Sequence, residues 1–103
     1  MANVNPPKKN QAFSIVVGLE DFATPGAFKS SPTLAAGDFK VDKDGAGLNN
    51  LATLPTVTPA ASTCVLISLS ATEMNADIVT IDCIDQTATK EWADLKLCIQ
   101  TTA

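Results

Sequence analysis

The sequence predicts an all-β domain: an antiparallel immunoglobulin-like β-sandwich of six to seven short strands, preceded by an extended N-terminal arm. Three observations carry this. Apolar and polar residues alternate at period two in several separate segments. Turn chemistry recurs about every ten residues between those segments. No stretch shows sustained helical periodicity. The 103 residues suit one domain with one core, and with 46% apolar and 17% charged residues the chain is too apolar for intrinsic disorder.

The chain divides into an arm, residues 1–12, and a sandwich, residues 13–103. In the arm, Pro6-Pro7 favours an extended polyproline-type backbone and Lys8-Lys9 is solvated. Such a segment is either a frayed terminus or an arm that orders on a neighbouring subunit. Pro6, Pro7, Lys8 and Lys9 are therefore candidate interface residues.

The first strand candidate is Gln11–Asp21. It places Phe13, Ile15, Val17 and Leu19 on one face and Ser14, Val16, Gly18 and Glu20 on the other. Asp21–Gly37 reads as a loop from Pro25-Gly26, Ser30-Ser31-Pro32 and Gly37, with Phe22 and Phe28 expected to anchor it to the core. Asp38–Asp42 alternates again, with Phe39 and Val41 inward. Lys43-Asp44-Gly45 supplies a turn, and a short returning strand takes in Leu48 and Leu51. Pro55 and Pro59 make Leu54–Ala61 an edge or a crossing loop.

The C-terminal half is the clearest. Thr63–Leu69, Ile78–Ile84 and Trp92–Thr101 each alternate, with Val65, Ile67 and Leu69, then Val79, Ile81 and Cys83, then Leu95, Leu97 and Ile99 inward. Between the first two, Ser70 and Glu73 have the spacing of a capping box, which predicts one helical turn.

Composition excludes several kinds of chemistry. The chain has no His, so Ser-His-Asp and Cys-His catalysis and His-ligated metals are ruled out. The net charge is −4 and all seven basic residues are Lys, which argues against a nucleic-acid groove. The longest nearly apolar run, Cys64–Leu69, is far short of a membrane helix, and no apolar signal-peptide core opens the chain. Cys64, Cys83 and Cys98 are three in number and cannot all pair within one chain; they read as three reduced thiols in a reducing cytoplasm, the alternative being one disulfide or a reactive thiol.

Two constellations resemble chemical sites and are better read as structure. Asp42-Lys43-Asp44-Gly45 begins like a calcium loop, but its glycine comes too early and no carboxylate follows at the required distance. Asp77, Asp82, Asp85, Glu91 and Asp94 form a carboxylate-rich zone. Asp82 falls on the outward face of a strand, so a solvated face is expected rather than a hydrolytic pair. No enzyme activity, metal or cofactor is expected.

Trp92 falls, by strand parity, on the face opposite Leu95 and Leu97. It caps the sandwich edge or stands exposed as an interface anchor. Val16 and Leu66 also face away from the core, and with Cys64 and Cys98 they put apolar surface where an antiparallel sheet is normally wet. Subunit contact is one way to cover it.

Three segments carry a resemblance: Gly37–Gly45, Leu51–Ala60 and Leu69–Asp77, the most specific part being Thr72-Glu73-Met74-Asn75-Ala76-Asp77. Together, over about residues 13–101, they resemble small β-sandwich proteins and domains encoded among the structural genes of tailed bacteriophages. The resemblance implies a virion structural protein made in the host cytoplasm, with no catalytic residues. It points to a capsid decoration protein binding the major capsid protein or other virion proteins, and to a homo-oligomer. The alternative station is a neck, tail or fibre-attachment module, or a receptor-facing one, whose loops Asp21–Gly37 and Leu54–Ala61 would do the binding.

Overall fold

The computed structural model describes residues 6–102. Seven strands form in chain order: β1 (Phe13–Gly18), β2 (Phe39–Lys43), β3 (Leu48–Asn50), β4 (Thr56–Val57), β5 (Cys64–Leu69), β6 (Ile78–Cys83) and β7 (Leu95–Gln100). They build two antiparallel sheets, β1-β5-β4 and β3-β2-β6-β7. The shape, 40 × 38 × 21 Å, has one short axis, as two stacked sheets require. An immunoglobulin constant-type domain orders its strands A-B-E-D and C-F-G, with C′ added beside C in the variable type. Here β1, β5 and β4 stand at B, E and D, and β3, β2, β6 and β7 at C′, C, F and G. No described residue forms an A strand beside β1.

The core lies between the two inner faces, and register explains its membership. On one sheet Phe13, Ile15 and Val17 face Leu69, Ile67 and Val65. On the other, Val41 faces Ile81, and Val79 and Ile81 face Ile99 and Leu97. Leu19, Val65, Ile67, Val79, Ile81 and Cys83 are fully enclosed. Alternation of apolar side chains put each on the inner face.

The expected helical turn is present. Ser70 Oγ accepts from Glu73 N at 3.2 Å, Glu73 Oε1 accepts from Ser70 N at 2.9 Å, and Met74 N donates to Ser70 O at 3.0 Å. The turn buries Met74 and Ala76 at one end of the sandwich. Glu73 Oε2 also accepts from Ala52 N at 2.9 Å, tying the loop after β3 to this cap. Glu73→Ala would leave both backbone donors without their partner. It should cost about 1–3 kcal/mol, read from the denaturation midpoint, with Glu73→Gln recovering part of the loss.

The β2–β3 connection is a tight turn held by the Asp42 carboxylate. Asp42 Oδ2 accepts from Gly45 N at 2.9 Å and Asp42 Oδ1 from Gly47 N at 2.7 Å. Asp44 and Gly45 sit at φ 54° and 79°, a geometry open to Asp and easy for Gly.

Several expectations are corrected. Trp92 does not lie on the last strand, which begins only at Leu95. It bridges Asp21 instead and is fully buried. Phe22 and Phe28 do not anchor their loop inward: they are 55% and 64% exposed. Asp82 is outward by parity but enclosed, and Asp85 is buried, so neither carboxylate is solvent-exposed as expected. Of the arm, residues 1–5 lie outside the described residues. Residues 7–10 turn back onto their own chain: Thr102 N donates to Pro7 O at 2.8 Å, Lys9 N to Thr102 O at 2.9 Å, and Asn10 N to Met74 O at 3.0 Å.

Candidate interaction surfaces

The two outer faces of the sandwich differ in charge. On β3-β2-β6-β7, register aligns Asn50, Lys40, Asp82 and Lys96 in one row and Leu48, Asp42, Thr80 and Cys98 in the next. Lys96 Nζ stands 3.5 Å from Asp82 Oδ1, an ion pair without hydrogen-bond geometry, since that oxygen accepts no hydrogen bond. This face is charged, as a wet antiparallel sheet normally is.

Among the described residues, the outer face of β1-β5-β4 carries no charged side chain. Ser14 pairs with Ser68, Val16 with Leu66, Gly18 with Cys64, and Leu66 continues to Thr56. Val16 is 56% exposed and Leu66 half-buried. Beyond Gly18 lies the Phe28 ring, so close that a Cβ at residue 18 would meet it at 2.8 Å. Glycine here leaves room for an exposed aromatic to pack against the strand and extend the uncharged surface. Cys98 sits on the opposite sheet, so the four residues Val16, Leu66, Cys64 and Cys98 do not make one patch.

The proposed interface residues thus part company. Val16 and Leu66 share one outer face. Pro6, Lys8 and Lys9 are exposed beside the C-terminal end of β7, Pro7 is half-buried there, and Lys9 Nζ pairs with Asp77 Oδ1 at 3.2 Å. Trp92 offers no surface at all. Its Nε1 donates to Cys83 O at 3.2 Å and its ring stands 6.0 Å from Phe39 at a tilt of 33°. Phe22 and Phe28 were missed as surface residues because the Asp21–Gly37 loop has no alternation from which to read a direction.

Asp38, Asp44 and Asp85 are occupied with backbone donors. Asp38 Oδ1 accepts from Gln86 N and Oδ2 from Ala35 N. Asp85 Oδ1 accepts from Thr87 N and Thr87 Oγ1, and Oδ2 from Glu91 N. Burial alone would raise the Asp85 pKa, but the hydrogen bonds from Glu91 and Thr87, with Lys90 nearby, outweigh it and hold the carboxyl below its ordinary value. Asp44 is also held low, by the backbone N–H groups of Ile78 first and Asp77 second. Among the described residues, no three His, Cys, Asp or Glu side chains stand together as metal ligands. An open cleft of about 390 Å³ beside Lys43, Asn49 and Thr72 holds only Glu73 as a carboxylate, and the cap already uses both its oxygens.

The cysteines differ in reach. Cys83 is enclosed, and burial, with Asp82 adjacent, pushes its thiol up to about 12. Cys98 is exposed and Cys64 half-buried. An alkylating reagent at neutral pH should therefore modify Cys98 first and Cys64 more slowly. Cys83 should react only on unfolding, as followed by intact mass and peptide mapping.

Compared with known proteins, the chain matches no family model, no curated protein and no solved structure.

Proposed function

We propose that this protein is a non-enzymatic structural component of a virion, a decoration subunit that binds the assembled major capsid protein. One observation supports a docking role above the others. A chain of net charge −4 keeps every charged side chain off the outer face of β1-β5-β4, while the opposite face carries Lys40, Asp42, Asp82 and Lys96. Uncharged sheet surface has little to gain in water and much to gain in contact. The resemblance of Gly37–Gly45, Leu51–Ala60 and Leu69–Asp77 to phage structural proteins supplies the partner. Binding the assembled shell and not its free subunits would stabilise the shell by mass action.

A second station, on the neck, tail or fibre, draws on the exposed Phe22 and Phe28 of the Asp21–Gly37 loop. Quantitative mass spectrometry of separated heads and tails distinguishes the two. Hundreds of copies on heads are expected for decoration, and a dozen or fewer travelling with tails for the alternative. The purified chain should co-sediment with expanded capsids, and Leu66→Lys should abolish this. Absence from both heads and tails would overturn the virion reading.

A further inference from the structure

Sheet edges are templates for other strands unless something guards them. This sandwich has β1 and β4 at the edges of one sheet and β3 and β7 at the edges of the other. Three of them are guarded. β4 is two residues long and stands between Pro55 and Pro59. β3 is three residues long and follows directly on the Asp44–Gly47 turn. β7 carries Lys96, and its C-terminal end is met by Lys8, which bridges Thr102.

β1 has none of these devices between Phe13 and Gly18; Glu91–Ala93 pairs with the chain only beyond its C-terminal end, at Glu20–Phe22. The strand is six residues long, Phe-Ser-Ile-Val-Val-Gly, with no proline and no charge. Its six residues pair one for one with β5, so no bulge twists it away. No described strand pairs with its other edge, where an immunoglobulin domain would place strand A.

The backbone directions on that edge follow from the register. Thr58 N donates to Cys64 O, so Cys64 and, by alternation, Leu66 and Ser68 point their main-chain groups toward β4. Val65, Ile67 and Leu69 therefore point theirs toward β1, where Val17, Ile15 and Phe13 stand opposite. Ser14, Val16 and Gly18 are left with N–H and C=O directed to the open edge.

We propose that a second copy of this chain pairs antiparallel along β1, with the two-fold axis at Val16. Val16 then faces Val16 of the second copy, Ser14 faces its Gly18, and Ile15 faces its Val17. Each opposed pair lies on one face of the sheet, as antiparallel pairing demands. The six-stranded sheet β4-β5-β1-β1-β5-β4 that results has a continuous uncharged outer face. A second copy suits this edge for two reasons. An antiparallel two-fold makes any strand complementary to itself, so no separate partner sequence is needed. Two chains of charge −4 also repel, and this is a long edge where they meet without opposing charges.

The seam does not rest on the virion reading, because it forms in solution without capsids. Sedimentation velocity of the full chain from micromolar to millimolar concentration should show a reversible dimer. Val16→Lys sets two ammonium groups face to face and should weaken the dimer roughly tenfold or more. Ile78→Lys, at an exposed site on the other sheet, should leave it unchanged. Amide exchange reads the same seam in the unaltered chain: Ser14, Val16 and Gly18 amides should gain protection in concentrated samples and lose it on dilution. A monomer at all concentrations would overturn the proposal. So would a dimer indifferent to Val16→Lys, or, should that variant fail to fold, exchange at Val16 that ignores concentration.

Discussion

Trp92→Ala should remove a large share of the stability of this domain. Trp92 is the largest fully buried side chain. It stacks at a tilt on Phe39 and ties the Asp21 segment to the end of β6 through its bond to Cys83 O. Truncating a buried tryptophan costs about 3–5 kcal/mol, and a domain of this size has only about 5–15 kcal/mol in total. The thermal midpoint should fall by roughly 15–30 °C. Trp92→Phe separates the two contributions. It keeps an aromatic against Phe39 and deletes the N–H, so it should cost about 1–2 kcal/mol, part of it for the lost hydrogen bond. Calorimetry on the two variants checks this. Equal losses in both would mean that the hydrogen bond, rather than the filled volume, dominates.

The Trp92 result also shows where the sequence was legible and where it was not. Strand parity holds only while the strand is unbroken. Counting back from Leu95 and Leu97 put Trp92 on the outer face, but β7 starts at Leu95 and the chain at Trp92–Ala93 pairs with Glu20 and Asp21 instead. That pairing joins residues some seventy positions apart, and no local pattern encodes it. β5 and β6, by contrast, were readable nearly to the residue, because each runs unbroken with alternating β-branched side chains. The Ser70–Glu73 cap was readable because both partners lie within one turn. Burial of Asp38 and Asp85 was not, since their partners are backbone N–H groups brought by folding, and an aspartate in a loop has no apolar period to betray it. On the candidate surface, the exposure of Val16 followed from parity, but the uncharged character of the whole face needed the pairing of β1 with β5 and β4.

Two aspartates held by backbone donors, the exposed Asp44 and the buried Asp85, give the second large effect, an acid-sensitive fold. Asp44 and Asp85 both have folded pKa values below their ordinary ones. A carboxyl shifted this way stabilises the fold fully above its unfolded pKa, about 3.9, and that contribution is lost as pH falls through the folded value. With no His in the chain, no imidazole titrates between pH 5 and 7. Stability should therefore be nearly flat from pH 5 to neutrality and fall steeply below about pH 4. Asp85→Asn tests the cause. An amide turns its NH₂ toward one of the backbone donors that the carboxylate accepted from, either Thr87 N or Glu91 N. At neutral pH the variant should be less stable by about 1–3 kcal/mol. As pH falls through its folded pKa the native Asp85 takes up its proton, so the gap between the two proteins should narrow. Denaturant titrations from neutral pH down through the acid transition decide it: a gap that stays constant throughout would show that the ionised carboxylate is not what holds the Thr87–Glu91 loop in place.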